Sequence, residues 1–430
     1  KYKMKKRVVI TGLGVISPNG LNINDFLKSL KNGISGIKYI PELENYNFNC
    51  CVGGVPEIKS TKYDKLLAKY EISEADISIL YAVITALEAY ELAGFHFENF
   101  NENEVLIDFG SIIGSCFGGI EIFLRKMYPL ISSGNLKKLG SQIIEHWMPS
   151  GSVASISKIL GFANQNTVNS SACSTGLEAV IMAYERIKFG KAKVMLAGGT
   201  DPYSPFAWAG FDSMRLLARK YNNTPEKASR PMSGSANGFV PSAGAGILIL
   251  EELEHALNRN AKIYAEIVGA EINSGGQRNG GTMTYPNPQR VVDCIRKAVQ
   301  EAKIKFSEID LISGHLTSTK ADVLEIKNWI EALELTDNFP YINAPKSMLG
   351  HMIGAAGAVE TIAAVLQLYH NFIHANLNCE DLHTEIEKSW DKNKIPQQTI
   401  NHINLNYVAK ASFGFGDVNS CLILKKYNNA

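Results

Sequence analysis

Neither sign of charge predominates in this chain of 430 residues, where 43 lysines and arginines face 42 aspartates and glutamates for a formal charge of +1. That balance gives no global attraction to nucleic acid or to an anionic membrane, and leaves only a local basic patch for an acidic partner. Cysteine is scarce and unpaired. The seven (Cys50, Cys51, Cys116, Cys173, Cys294, Cys379 and Cys421) are odd in number and lack the spacing of a disulfide framework or a zinc site, so they read as reduced thiols. No stretch approaches the ~20 apolar residues of a membrane helix. The basic start, residues 1–7, runs into a short strand-like segment broken by Gly12 and Gly14 with no small-residue cleavage site after it, which predicts a cytoplasmic protein. The third glycine of a dinucleotide fingerprint is missing as well, because Ser17 stands in its place in TGLGVIS. GSCFGG (114–119) has the glycines of a phosphate loop without the lysine and hydroxyl that should follow.

What is present is an ordinary globular balance, 45% apolar and 20% charged, on a chain too long for one small core. β-Branched runs ending in glycine predict strands over 8–12, 110–114, 167–170 and 194–198. Leu177, Val180, Ile181, Tyr184 and Ile187 share one face of a predicted helix over 176–188, which Gly190 can cap. After a passage rich in Pro, Gly and Ser (229–246) the alternation resumes, with strands over 247–250, 263–269, 309–313 and 420–425 and helices over 290–302 and about 355–370. Strands alternating with helices predict a layered α/β architecture, divided here into residues 1–250 and 251–430.

The strongest local signal is VNSSACSTGL (168–177), a cysteine among small residues at the junction of a strand and an amphipathic helix. Unpaired N–H groups and the dipole at a helix start stabilise negative charge, so Cys173 is expected to gain thiolate character and act as a nucleophile. A free cysteine is more often an inert core residue. Two histidine segments weigh against that here. GHLTST (314–319) sets His315 at a strand end with hydroxyls behind it, and KSMLGHMIGAAG (346–357) uses small residues to bring His351 close to another backbone at a helix start. SFGFGDVN (412–419) is a glycine-rich turn before the last strand whose N–H groups suit an oxyanion.

Taken in order with RVVITGLGVISPNG (7–20), AGGTDP (197–202) and the stretch 220–269, these segments resemble the elongating β-ketoacyl-[acyl carrier protein] synthases, the group of synthases I and II. The resemblance spans nearly the whole chain. It implies a thiolase-like fold of two similar α/β halves in a five-layered αβαβα arrangement, with neither metal nor organic cofactor. It implies decarboxylative condensation of a cysteine-bound acyl chain with malonyl-[acyl carrier protein], by a homodimer or a heterodimer with a synthase-like subunit. Cys173 matches the nucleophile, His315 and His351 the paired histidines, Lys346 the lysine before the second of them, and Glu360 the carboxylate that supports that lysine. Thr317 and Thr319 match hydroxyls that hold the pantetheine arm, and Phe117 matches a residue beside the acyl pocket. Phe415 matches the gate residue whose N–H joins that of Cys173 in the oxyanion hole. The acidic carrier protein is expected to dock on Arg125, Lys126, Lys137 and Lys138.

Departures from the family pattern lie at the site itself. Leu316 replaces the glycine after the first histidine, Lys320 replaces a proline, Ala411 replaces an asparagine, and Asp417 and Val418 replace a glycine and a threonine. An aspartate in place of glycine predicts a stiffer gate, or one set for a different acyl chain. These changes favour a specialised synthase, for a polyketide-like or polyene product, over a housekeeping one. The competing reading is a non-catalytic chain-length-determining partner. Such partners usually lack the cysteine, which is present here.

Overall fold

Residues 8–16 contain no charged side chain, and in the computed structural model, which describes residues 5–96 and 103–428, they form a wholly buried strand, β1 (Val8–Ile16). The basic start therefore lies partly outside the described residues. Four more strands of the main sheet lie in the first half, β2 (Phe109–Gly114), β3 (Asn166–Thr167), β4 (Val194–Asp201) and β5 (Gly244–Glu252). Five more strands of that sheet follow in the second, β6 (Ala265–Ser274), β7 (Leu311–Ser313), β8 (Tyr341–Asn343), β9 (Tyr407–Gly414) and β10 (Val418–Lys425). They hydrogen-bond in the order β3-β2-β4-β5-β1 and β8-β7-β9-β10-β6. Numbered within its own half, each run reads 3-2-4-5-1, with the first three neighbours parallel and the rest antiparallel. Antiparallel pairing of Val8, Val9 and Ile10 with Ile267, Glu266 and Ala265 joins the two runs into one ten-stranded sheet.

Side-chain alternation along the strands sets the layers. On β5, Ile247 and Ile249 pack outward against α1 (Ile77–Leu92), whereas Leu248 and Leu250 face inward. On the far side, α3 (Pro288–Ala302) and α4 (Ala321–Leu333) cover the outer face of the second half through a separate cluster that includes Val292, Ile295, Ile326 and Trp329. The inner cluster joins residues of both halves around two helices, α2 (Thr175–Lys188) and α5 (Ala356–His370). The result is the thiolase-like five-layered α/β arrangement. A helix apolar all round is a buried helix, and α5 is buried from Ala356 to Leu368. The two central helices touch backbone to backbone, since a Cβ on Gly176 would lie 2.7 Å from the Gly354 oxygen and one on Gly357 would lie 2.7 Å from the Leu177 nitrogen. Among the described residues, no helix is long and apolar enough to cross a membrane.

Most strands run a few residues beyond or short of their expected bounds, as β1 does in reaching Ile16 rather than residue 12, and two of the differences have a local reason. The strand expected over 167–170 ends at Thr167, because the chain leaves the sheet at Val168 to build the cysteine turn. The last strand begins at Val418 rather than 420, paired with Gly414 across a tight hairpin.

Candidate active site

The cysteine turn is held by one hydroxyl. Thr175 Oγ1 donates to the Ala172 carbonyl and accepts from the Ser171 N–H, both at 2.7 Å. Ala172 takes a left-handed backbone with φ 49°, which a small side chain tolerates at some cost. Cys173 thereby projects just ahead of Ser174, the N-cap of α2. It lines a cavity of about 450 Å³, and the backbone N–H of Phe415 reaches its sulfur. The thiol touches the cavity but is otherwise enclosed by protein, and burial pushes its pKa up to about 11, against the lowering effect of the Lys346 charge and the Phe415 N–H. This corrects the expectation of a resting thiolate. Near neutral pH the group is a thiol, and the donors around it act on charge that forms during reaction.

Both histidines are buried in the cavity wall, with ring centroids 5.4 Å apart and planes at 84°. The Ile353 N–H donates to His351 Nδ1 at 3.1 Å. Lys346 Nζ lies 3.3 Å from His315 Nδ1, and an ammonium can only donate. Each ring therefore carries its proton on Nε2. Burial first, then the charges of Lys346 and Lys410, hold both imidazoles well below their usual pKa, so they are neutral donors. Ile353 adopts φ 49°, an unfavourable backbone for a β-branched residue, and this turn aims its N–H at His351.

Behind the rings, Lys346 Nζ pairs with Glu360 Oε1 at 2.5 Å. Lys410 Nζ lies 2.7 Å from the other oxygen of Glu360, an ion pair of proximity rather than of an aligned hydrogen bond. Carboxylates from α4 fix the His315 loop, with Glu325 accepting from the N–H groups of His315 and Leu316, and Asp322 from those of Thr317 and Ser318. Asp201 ties the two remaining turns together, accepting from Ser115, Cys116 and Phe117 on one side and from Gly354 on the other. Burial raises its pKa to about 6 although all four donors oppose the shift. Sequence reasoning assigned no role to Asp201, Asp322, Glu325 or Lys410. The available signal was a charged residue embedded in an apolar strand, as in Val408, Ala409, Lys410, Ala411.

The other expected residues divide. Thr317, Thr319 and Phe415 line the cavity, and the two threonine hydroxyls meet at 2.9 Å. Phe117 does not line it; its ring packs on Phe211, which does. Arg125 is committed to Glu121 and Glu42, so it is not a free docking charge. Leu316 turns into the core of the second half, away from the cavity. The Cys173 sulfur and the histidine nitrogens lie within 4.8 Å of one another. With an ammonium behind His315, this group suits an anion rather than a metal ion.

Asp417 is buried in the hairpin at φ 62°, accepts from the N–H groups of Gln277 (2.9 Å) and Asn287 (2.8 Å), and fills the space that a Cβ on Gly275 or Gly281 would need. Thr284, Tyr285 and Pro286 of the same 275–287 loop line the cavity. The aspartate that stands in place of the glycine thus ties two cavity walls together. In Asp417→Gly, amide exchange at Gln277 and Asn287 is expected to quicken about tenfold or more, as suits the loss of hydrogen bonds to a charged group. Unchanged exchange there would show that the aspartate does not hold the loop.

The family models described as "Beta-ketoacyl synthase, N-terminal domain" and "Beta-ketoacyl synthase, C-terminal domain" match residues 5–256 and 264–380. The chain is 35% identical over 424 residues to 3-oxoacyl-[acyl-carrier-protein] synthase 1 of Buchnera aphidicola subsp. Schizaphis graminum, covering 98% of this chain and 100% of that protein. It is 33% identical over 428 residues to 3-oxoacyl-[acyl-carrier-protein] synthase 2 of Vibrio harveyi, covering 98% and 99%. Among solved structures it resembles a type II polyketide ketosynthase bound to a hexaketide, in complex with its acyl-carrier protein. That likeness has a TM-score of 0.85 at 26% identity and covers 99% of this chain and 100% of that one.

Proposed function

The chain belongs to the beta-ketoacyl synthase family, and from that premise we propose that it joins an acyl chain held on Cys173 to a malonyl unit carried by acyl carrier protein. The observation that carries the reading is a cysteine facing two neutral Nε2–H imidazoles, with a buried positive charge behind them.

The Cys173 sulfur attacks the acyl thioester, a new S–C bond forms, and the pantetheine thiol leaves with the proton. The tetrahedral oxyanion is held by the N–H groups of Cys173 and Phe415. Malonyl-carrier protein then loses carbon dioxide. The electron pair of the broken C–C bond passes to the thioester oxygen as an enolate, which His315 and His351 stabilise by donating from Nε2. The enolate carbon attacks the cysteinyl thioester, the C–S bond breaks, Cys173 leaves as a thiolate that regains a proton from solvent, and a 3-oxoacyl chain stays on the carrier. Lys346 and Glu360 hold the His315 side of the site, and Thr317 and Thr319 face the pantetheine arm. The carrier's acidic surface meets Arg215 and Lys320, which are exposed at the cavity.

Asp417 and its loop support a specialised acyl chain rather than an ordinary saturated one. The presence of Cys173 and both histidines disfavours a non-catalytic chain-length partner. Acyl-carrier protein and malonyl-carrier protein incubated with the enzyme should give the two-carbon-longer 3-oxoacyl carrier and carbon dioxide. Carbon dioxide without chain growth would mark a decarboxylase instead.

A further inference from the structure

A lysine in the middle of β9 breaks the apolar pattern of a central strand, and its surroundings offer it only one firm counter-charge. Lys410 is 0% exposed, Lys346 1% and Glu360 2%, and both ammoniums share that single carboxylate. Lys410 also donates to its neighbour's carbonyl, Ala411 O. Two buried lysines on one buried carboxylate leave a surplus of positive charge behind the histidines, and burial lowers the Lys410 pKa while Glu360 and, from further off, Glu325 oppose that shift. Removing charges from water is costly unless they are paired and hydrogen-bonded, so a surplus cation here is a local conflict of the kind found at functional sites.

We infer that Lys410 is a positioning residue for the condensation. It shares Glu360 with Lys346, and its charge adds to burial and Lys346 in holding His315 and His351 neutral and favours the enolate that forms against them. The inference rests on the proposed synthase function. Lys410 does not line the cavity, so it acts through the groups that do. The charged and titratable groups around the two rings are Lys346, Glu360 and Lys410 behind them, Glu325 at the His315 backbone, the thiol of Cys173 across the cavity, and each ring for the other. Burial and then Lys346, His351 and Lys410 lower His315, while burial and then the two lysines lower His351. The lysine acting on the Cys173 thiol is Lys346. Removal of Lys410 should therefore separate the two half-reactions.

In Lys410→Met, malonyl-carrier protein decarboxylation should fall about tenfold or more while acyl loading on Cys173 stays within about threefold, a split that general loss of structure does not produce. Ring ¹⁵N NMR gives a second readout. In the parent enzyme both imidazoles should stay neutral through the usual histidine range, and in Lys410→Met at least one should titrate at a higher pH than it does in the parent. Lys410→Gln, which loses the charge but keeps a donor for Ala411, is read in the same way if the methionine variant does not fold. Lys410→Arg should restore both the rate and the neutral rings. Parent-like histidine titration in the charge-removing variants, or equal loss of loading and decarboxylation, overturns the inference. A parent enzyme that neither loads acyl groups nor decarboxylates malonyl-carrier protein overturns the synthase reading, and the inference with it.

Discussion

Cys173→Ser is expected to abolish the acyl adduct seen by intact mass when the enzyme meets acyl-carrier protein. The reason lies in the tautomers. A serine hydroxyl needs a base to remove its proton. Here His351 Nδ1 is occupied by the Ile353 N–H and His315 Nδ1 by Lys346, so both rings offer the cavity a donor and neither offers it a lone pair. Thiol chemistry tolerates that arrangement. With its pKa near 11, Cys173 is about one part in 10⁴ thiolate at neutral pH. The α2 N-terminus and the Phe415 N–H are already in place for the charge that develops. The same numbers fix a pH trend. A group titrating far above the working range gains about tenfold in its ionised form per pH unit, so loading on the parent enzyme should quicken as pH rises through neutrality. An undiminished adduct in Cys173→Ser would remove Cys173 from its assigned role.

The short motifs were legible because their chemistry is local. A cysteine among small residues before a helix, a histidine at a strand end and a glycine-rich hairpin each carry their geometry in a few neighbours, and the structure brings all three to one cavity. Long-range terms were less visible. The helix-start argument for a thiolate considered the N–H groups of α2 and left out the enclosure of Cys173, which raises its pKa. Leu316 looked like a change in the site because it follows His315, yet Glu325 captures its N–H and the side chain turns into the core. Phe117 was expected at the pocket and stands one ring behind Phe211. The duplicated 3-2-4-5-1 strand order depends on which edges pair, and pairing Val8–Ile10 with residues 265–267 is not a property of either segment alone. Lys410 escaped notice because a lysine in a strand normally faces water, and only the packing of α5 reveals that this one faces Glu360.

His315→Ala and His351→Ala are expected each to lower malonyl-carrier protein decarboxylation by about 10²–10³, the range for removing one preorganised donor from a developing oxyanion. Acyl loading on Cys173 should fall far less, because the tetrahedral oxyanion of that step lies against the N–H groups of Cys173 and Phe415. His351→Asn, which keeps a side-chain N–H, should recover part of the loss. The pH profile carries the same logic with a definite sign. Burial holds both rings neutral well below the usual histidine range. Decarboxylation in the parent enzyme should therefore stay level through the region where a free histidine titrates, around pH 6.5. It should fail only at lower pH, where a proton on Nδ1 would face the Lys346 ammonium at one ring and the Ile353 N–H at the other. An acid limb near pH 6.5 would mean that at least one ring works as a titrating base. Equal losses of loading and decarboxylation in both alanine variants would mean that the histidines serve the thiol as much as the enolate, and the division of labour between cysteine turn and histidine pair would have to be abandoned.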